Sequence, residues 1–378
     1  MTHPTQPQVA IVGSGPSGCY LAQSLLRAVP EAHITIFDRL ASPFGLIRYG
    51  VAADHQHTKA ITRQFDRLFQ TPGVRFAGNL VIGEDLSLAE LRAHFDAVVL
   101  ATGLAADRGL AIPGSDLAGV YGAGTITRVL NSHPSERAQL PALGSDVVVI
   151  GAGNVALDIL RFLVKDVADY ADSDIADAAL SGYLADPAQR VTLVSRSGPA
   201  DSKGDPQMLK ELAALARARY HTPESLDPSP SATLDRTQSA RLAALTDLVS
   251  VDRAAHPGPA VELRFGLTPL RVLGDEHVTA VEFTDGVDVM TVPATSVISA
   301  IGFTAAGAGE IEPLVAESSE TGRIAEGLYR TGWAKRGPRG AIPENRACAK
   351  AVSDEIVADL TSGTLTVSEA TLGFAGLP

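Results

Sequence analysis

The stretch that decides the fold lies close to the start of the chain, where residues 8–29 read QVAIVGSGPSGCYLAQSLLRAV. Residues 9–12 form an apolar run that ends at a glycine, which is typical of a short buried β-strand. Residues 13–18 match the pattern G-x-G-x-x-G. Leu21, Leu25 and Val29 then recur every fourth residue, which is the spacing of one face of an α-helix. A strand, a glycine-rich turn and a helix in this order predict a dinucleotide-binding turn.

The next strand supplies the acid that such a turn uses. Residues 33–40, HITIFDRL, predict a strand that ends at Asp38, 20 residues after Gly18. A carboxylate at this spacing accepts hydrogen bonds from a ribose hydroxyl. Gly13 permits the tight turn, Gly15 lets a diphosphate approach the backbone, and Gly18 lets the helix pack closely on the strand. The helix N-terminus adds unpaired N–H groups and the positive end of the helix dipole, so this first site suits FAD or NAD.

A second copy of the pattern lies in SDVVVIGAGNVALDILRFLV, residues 145–164. Ala156 replaces the third glycine, a variant of the same fingerprint. The following strand, RVTLVSRSG, reaches Arg196 instead of an acid, and an arginine there accommodates a 2′-phosphate. Arg196 lies 40 residues after Ala156, and residues 165–189 predict an inserted helical segment that fills the excess. The second site therefore suits NADP, although Arg196 as a plain solvated charge stays an open alternative.

Two fingerprints in one chain predict an α/β fold with two Rossmann-like dinucleotide-binding domains. Residues 96–114 and 296–303 both contain buried-strand runs closed by glycine, and we interpret them as the places where the chain leaves and re-enters the first domain. The first domain is then expected at 1–104 and 303–378, as the FAD-binding domain. The NADP-binding domain, at 105–302, is expected to be inserted into it.

Composition excludes several other classes of protein. The net charge is −12 and only 5% of the 378 residues are aromatic, which argues against nucleic-acid binding. Cys19 and Cys348 are the only cysteines, so no disulfide framework, zinc ribbon or CxxC redox motif is expected. No His/Cys cluster has metal-ligand spacing, so no metal site is expected. The polar start of the chain and the lack of a long apolar run predict no signal peptide and no membrane span, hence a cytoplasmic location.

Six blocks along the chain resemble the adrenodoxin reductase-like family of ferredoxin–NADP reductases, which are built like glutathione reductase. The blocks are VGSGPSGCYLAQ, SPFGLIRYGVAADHQHTK (42–59), RFAGNLVIGED (75–85), VVIGAGNVALDILR (148–161), SRSGP (195–199) and GLYRTGWAKRGPRGAI (327–342). The Phe-Gly-Leu and Gly-Trp-x-Lys-Arg-Gly-Pro phrases are far more specific than the glycine turns. The resemblance covers nearly the whole chain.

The resemblance implies the cofactors and the site residues. It implies FAD bound by Gly13, Gly15, Pro16, Ser17, Gly18, Asp38, Gly45, Leu46, Leu80, Thr102, Gly103, Trp333, Gly340, Ala341 and Ile342. It implies NADP(H) bound by Gly151, Gly153, Asn154, Val155, Arg196, Ser197, Glu211 and Gly340.

Particular roles follow for a few of these residues. His55 matches the histidine that the family places by the isoalloxazine, and Glu211 matches the acid at the nicotinamide end; both would be catalytic. Trp333 would pack by the flavin, and residues 340–342 would offer backbone N–H groups to its pyrimidine edge. A solvated histidine, a surface glutamate and a tryptophan that only fills core are the corresponding alternatives. Pro343 and Asn345 also predict a helix start, followed by a buried stripe of Val352, Ile356 and Leu360.

The implied activity is transfer of a hydride from NADPH to FAD, and then of single electrons to a ferredoxin- or flavodoxin-like carrier. A flavoprotein dehydrogenase or oxidase acting on a small molecule, or a poorly catalytic nucleotide-sensing flavoprotein, stays an open alternative. The family's Arg-Arg-Gly-Pro phrase reads Arg196-Ser197-Gly198-Pro199 here, so one ligand for the 2′-phosphate is missing. For docking of an acidic carrier, we predict a basic patch in 203–220 with Lys210 and Arg217 on one helix face.

Overall fold

The computed structural model describes residues 6–227, 233–253, 255–305, 309–315 and 318–378. Within these ranges the chain divides into two compact units. The first unit comprises Met1–Val51, His55–Ala106 and Phe303–Pro378, and the second comprises Ala52–Asp54 and Asp107–Gly302. No helix in the described ranges is long and apolar enough to cross a membrane.

The strands, in chain order, are β1 Gln8–Val12, β2 His33–Asp38, β3 Val74–Gly78, β4 Ala97–Leu100, β5 Ala106–Asp107, β6 Val120–Gly122, β7 Asp146–Ile150, β8 Arg190–Ser195, β9 Arg219–His221, β10 Ala260–Phe265, β11 Thr268–Gly274, β12 Val278–Thr284, β13 Val289–Pro293, β14 Ser296–Ser299, β15 Phe303–Thr304, β16 Arg323–Ala325 and β17 Leu328–Arg330.

The α-helices are α1 Pro16–Ala28, α2 Leu46–Tyr49, α3 Gln56–Lys59, α4 Thr62–Phe69, α5 Leu88–His94, α6 Ala123–Leu130, α7 Asn154–Val164, α8 Asp177–Ala185, α9 Pro206–Ala214, α10 Arg236–Ser250, α11 Glu312–Val315, α12 Trp333–Arg336 and α13 Ile342–Ser362. Short 3₁₀ turns lie at Ala168–Tyr170 and Gly373–Gly376. The first of these turns and α8 confirm the predicted helical insertion within 165–189.

The first unit is built on a six-stranded sheet in the order β16-β17-β4-β1-β2-β3, parallel except for the β16–β17 pair. The central strand β1 is apolar because both of its faces are covered, and Ile11 is fully buried. Helix α1 packs its Leu21 and Leu25 with Val352 and Ile356 of α13 in one apolar cluster. These contacts confirm the strand, the glycine turn and both helices predicted for this part of the chain.

The second unit repeats the plan with a six-stranded parallel sheet in the order β6-β14-β7-β8-β10-β9. An antiparallel meander of β11, β12 and β13 belongs to the same unit. The two glycine turns follow β1 and β7, which are inner strands of the two parallel sheets. Because the carboxyl ends of parallel strands meet at one edge, each turn faces the loops that follow the neighbouring strands.

Candidate functional site: two glycine turns at the edges of two sheets

Steric constraints shape the first turn. Gly13 has φ +113°, and a Cβ atom there would lie 2.4 Å from the Ala101 carbonyl oxygen at the end of β4. A Cβ atom on Gly18 would lie 2.1 Å from the Gly13 carbonyl oxygen. A Cβ atom on Gly15 would meet nothing within 4 Å. Two glycines thus let the backbone pack against itself, and the third leaves open space where a diphosphate would approach.

Asp38 is tied to this turn by hydrogen bonds. Its Oδ2 atom accepts from the Ser14 N–H at 2.9 Å and from the Ser14 hydroxyl at 2.5 Å. Its Oδ1 atom accepts from the Leu40 N–H at 2.9 Å. Each carboxylate oxygen can accept two hydrogen bonds, so Oδ1 keeps one acceptor position for a ribose hydroxyl. Sequence reasoning missed Ser14, which is fully buried and fixes the orientation of this carboxylate.

The other residues predicted for FAD gather around the same turn. A Cβ atom on Gly45, at φ +45°, would lie 3.4 Å from the Gly15 Cα atom, and Leu46 begins α2. Leu80 donates its N–H to the Asp38 carbonyl at 3.0 Å. Thr102 is exposed just past the end of β4, and the following Gly103 has φ +64° with open space beside its Cα atom.

The late tryptophan lies against the same turn in the first unit. Gly332, which precedes Trp333 and is the N-cap of α12, has φ +65°. A Cβ atom on Gly332 would lie only 1.9 Å from the Ser17 hydroxyl oxygen. The Trp333 ring stacks on Phe303 with centroids 5.6 Å apart, and its indole N–H donates to the Gly340 carbonyl at 3.1 Å. The phrase with the single tryptophan is therefore folded onto the N-terminus of α1.

The start of α13 uses one of the three N–H groups that were expected to meet the pyrimidine edge of the flavin. Ala341 donates its N–H to the Glu344 carboxylate at 2.8 Å, because Glu344 reaches back to cap the helix. That N–H group is therefore already used within the protein. Within the described ranges, the N–H groups of Gly340 and Ile342 donate no hydrogen bond, and they keep their predicted role toward a ligand.

The second turn repeats the geometry of the first. Gly151 has φ +124°, and a Cβ atom there would lie 2.4 Å from the Ala300 carbonyl oxygen at the end of β14. Gly153 is the N-cap of α7, and Asn154 accepts from the Asp205 N–H at 2.9 Å. Val155, half-buried, follows in the first turn of the helix. This edge of the second sheet thus also presents a helix N-terminus beside a close-packed glycine.

The residues predicted to read a 2′-phosphate follow β8. Arg196 is exposed, and none of the hydrogen bonds or ion pairs in the described ranges involves its side chain. Ser197 uses its carbonyl oxygen to accept from the Ser195 hydroxyl at 2.9 Å and the Gly266 N–H at 3.2 Å. A Cβ atom on Gly153 would lie 3.7 Å from the Cβ atom of exposed Lys203, so a second cation lies beside this turn.

The two predicted catalytic residues have defined surroundings. His55 is half-buried at the N-cap of α3, where its carbonyl oxygen accepts from the Lys59 N–H at 3.0 Å. The Glu211 carboxylate on α9 pairs with Arg161 of α7 at 2.6 Å and is 40% exposed. Sequence reasoning missed this ion pair, which holds the acid at a fixed place while leaving part of it accessible.

The helix face predicted for the docking patch is wrong, whereas the docking role of residues 203–220 stays a prediction. Helix α9 ends at Ala214, so Arg217 does not share a helix face with Lys210. Arg217 instead donates to the Lys165 carbonyl at 2.6 Å and is half-buried. The prediction from the seven-residue spacing failed because the chain turns after α9 to enter strand β9. The first residue of that strand, Arg219, is exposed.

A charged cluster lies on one side of α7 in the second unit. Arg161 binds Asp54 at 2.5 Å as well as Glu211, and Lys165 also pairs with Asp54. Asp158, one turn before Arg161, has an Oδ1 atom closed off from solvent. The pKa of Asp158 is raised from 3.8 to about 7, mainly by burial; Arg161 and Lys165 oppose the rise, and Asp54 and Glu211 add to it.

A small cavity borders this cluster. Asp54, Asn131 and Asp158 line it, and its volume of about 20 Å³ is large enough for one water molecule. Burial is the main physical reason for the raised pKa of Asp158, because it disfavours the charged form of the carboxyl, and the nearby carboxylates of Asp54 and Glu211 act in the same direction.

The two cysteines are buried, and the carboxylates of the described residues form no cluster that could hold a metal ion. Cys19 is fully buried on α1, where burial raises the pKa of its thiol far above the ordinary value. Cys348 is buried on α13. No group of three or more His, Cys, Asp or Glu side chains in the described part of the chain is arranged to hold a metal ion.

The comparisons with known proteins agree with this geometry. The family model for pyridine nucleotide-disulphide oxidoreductases matches residues 7–208. Cindoxin reductase of Citrobacter braakii is 41% identical over 368 residues, which cover 96% of this chain and 80% of that protein. The mitochondrial NADPH:adrenodoxin oxidoreductase of Arabidopsis thaliana is 33% identical over 405 residues, covering 96% of this chain and 84% of that protein.

A solved structure extends the similarity to three dimensions. Mycobacterium tuberculosis FprA in complex with NADPH superposes with a TM-score of 0.86 at 30% identity, over 95% of this chain and 85% of that one. Lactococcus lactis thioredoxin reductase, at 15% identity and a TM-score of 0.55, shares the fold alone. The chain belongs to the pyridine nucleotide-disulphide oxidoreductase family, in its branch of adrenodoxin reductase-like ferredoxin–NADP reductases.

Proposed function

We propose that this protein is an FAD-dependent oxidoreductase that moves a hydride from NADPH to FAD and then single electrons to a ferredoxin- or flavodoxin-like carrier. One observation carries the proposal: a single chain holds two close-packed glycine turns at two parallel sheets, followed by Asp38 in one unit and Arg196 in the other. When bound, the flavin supplies the conversion between two-electron and one-electron transfer. The family membership of the chain supports both cofactors.

The first unit has the features that FAD requires. The open space beside Gly15 and the N-terminus of α1 would hold the diphosphate, and Asp38 Oδ1 would accept from a ribose hydroxyl. Trp333 would pack by the flavin, and the Gly340 and Ile342 N–H groups would meet its pyrimidine edge. Donors at that edge stabilise negative charge that develops on the ring.

The second unit would hold NADP(H). The N-terminus of α7 would receive the diphosphate, and Arg196 would pair with the 2′-phosphate, helped by Lys203 in place of the family's second arginine. Glu211, held by Arg161, would contact the nicotinamide end, and His55 of the first unit would lie by the isoalloxazine.

Two further expectations belong to the same proposal. We propose an FAD-binding domain at 1–104 and 303–378 and an NADP-binding domain at 105–302. The two compact units support boundaries within a few residues of these, apart from the short segment Ala52–Asp54, which belongs to the second unit. We also propose a cytoplasmic location, which is supported by two cysteines that are free and buried.

An absorbance spectrum before and after anaerobic NADPH tests the function in one cuvette. We expect a yellow protein that releases FAD on denaturation and whose flavin bands bleach with NADPH. Adding an oxidised ferredoxin or flavodoxin should then restore the bands. A colourless protein that FAD cannot reconstitute would overturn the proposal.

Other outcomes of the same experiment identify the remaining functions. Flavin that NADPH does not reduce would indicate a nucleotide-sensing flavoprotein. Flavin that is reduced by a small organic substrate, with no transfer to a protein carrier, would indicate a dehydrogenase or oxidase.

A further inference from the structure

Arg336, the last residue of α12, holds a polar network together at the first glycine turn. One guanidinium nitrogen, Nη2, donates to Asn345 Oδ1 at 2.7 Å, and the other, Nη1, donates to the Arg339 carbonyl at 2.5 Å. The same Asn345 oxygen accepts from the Ser17 hydroxyl at 3.2 Å. Arg336 is therefore two hydrogen bonds away from the second residue of α1, and all of these groups belong to the first unit.

Within the described part of the chain, the charge of this guanidinium has no counterpart. Both of its partners are neutral oxygens, and no carboxylate of the described ranges lies within ion-pair distance of Arg336. Its Nε atom is closed off from solvent and has no hydrogen-bond partner. Arg336 is half-buried, and removing part of a guanidinium from water without an anion carries a desolvation cost, so a partner of negative charge is expected here.

The position of Arg336 indicates which anion this is. Ser17 and Asn345 connect it to the N-terminus of α1, whose first turn has no acidic residue. Anions bind at helix N-termini because unpaired N–H groups and the positive end of the dipole meet there. Arginine adds a planar set of donors that matches a phosphate. Building on the proposed function, we propose that Arg336 is the cation that pairs with the FAD diphosphate, with Asn345 as its positioning residue.

The test compares Arg336→Gln with Arg339→Gln, using protein from which the flavin has been removed. Arg339 is an exposed arginine three residues away, so this control makes the same change of charge. Loss of a charge-assisted hydrogen bond should raise the Kd for oxidised FAD by about 10- to 100-fold in Arg336→Gln. Arg336→Lys, which keeps the charge, should recover part of this loss, and Arg339→Gln should bind FAD like the wild type.

Two further readouts separate pairing with FAD from a merely structural role. Without flavin, Arg336→Gln should melt close to the wild type, because the loss of two hydrogen bonds to neutral oxygens is offset by the removal of a charge that has no counter-ion in the described part of the chain. Asn345→Asp would give Arg336 a carboxylate inside the protein, so the flavin-free Tm should rise while FAD affinity falls. A lower flavin-free Tm for Arg336→Gln, with unchanged FAD affinity, would assign the network to packing and overturn the proposal.

The midpoint potential of the bound flavin distinguishes the diphosphate from the ring. Pairing with the diphosphate affects oxidised and reduced FAD equally, so the potential of Arg336→Gln should equal that of the wild type. A shifted potential with an unchanged Kd would mean that Arg336 faces the isoalloxazine, which contradicts the proposal. If wild-type protein fails to bind FAD at all, the proposed function itself fails; if the wild type binds and Arg336→Gln binds equally well, only the inference about Arg336 fails.

Discussion

Replacing Asp158 by asparagine should change how the stability of the second unit depends on pH. Asp158 is buried beside a cluster in which Asp54 pairs with Arg161 and Lys165, and Glu211 pairs with Arg161. Its pKa is about 7 in the folded protein, against an ordinary value of 3.8 for this carboxyl. The folded state therefore holds a proton that the unfolded chain releases, throughout the range between these two values.

The sign and size follow from proton linkage. Since the native state binds more protons than the unfolded state between about pH 4 and pH 7, the free energy of unfolding falls as pH rises through this window. One pKa unit corresponds to about 1.4 kcal/mol, so the fall between pH 5 and pH 8 should be about 3 kcal/mol. Asparagine cannot ionise, so Asp158→Asn should lack this fall and exceed the wild type in stability at pH 8.

Hydrogen exchange of the α7 amides at pH 5, 6, 7 and 8, corrected for intrinsic exchange rates, measures this stability locally. Trp333 is the only tryptophan and belongs to the first unit. Its fluorescence during urea unfolding therefore reports on the first unit, which serves as an internal reference for the second. Asp186→Asn removes an exposed carboxylate of the second unit and is the matched control. If the stabilities of wild type and Asp158→Asn change in parallel from pH 5 to pH 8, Asp158 is ionised throughout and the reasoning from its burial is refuted.

Three further predictions concern the cofactor preference, the stability of the first glycine turn and the docking of the carrier. Arg196→Ala should abolish the preference for NADPH over NADH, and Ser197→Arg should widen it by about one to two orders of magnitude, measured as kcat/KM for flavin reduction. A clear preference for NADH that Arg196→Ala leaves unchanged would refute the assignment of Arg196 to the 2′-phosphate. Gly13→Ala should destabilise the flavin-free protein by about 2–6 kcal/mol in urea unfolding, because its Cβ would clash with the Ala101 carbonyl at positive φ, whereas Gly182→Ala, with open space, should not. Lys210→Glu alone should slow electron transfer to an acidic carrier at low salt and spare NADPH-to-flavin transfer; equal rates at low salt would exclude Lys210 from docking.

The sequence by itself determined the repeating parts of this protein. Strand, glycine turn and helix are local in sequence, so both turns, the strand that ends at Asp38 and the helix that follows Pro343 could be predicted from spacing alone. Each glycine of a turn is required by the backbone geometry at its own position, so the requirement is visible in the sequence as the glycine itself. The branch of the family followed from phrases of a few residues, such as the one around Trp333.

The tertiary structure alone decided which side chains meet. Ser17 and Asn345 are 328 residues apart, and Asp54 and Lys165 are 111 apart, so no periodicity connects them. The same limit explains the wrong prediction for Arg217, since where α9 ends depends on the strand that follows and on the Lys165 carbonyl that receives the arginine. Charges such as Arg336 and Asp158 acquire their properties from burial and from the balance of neighbours brought together by the fold. Those are properties of the packed structure, which residue order does not encode locally.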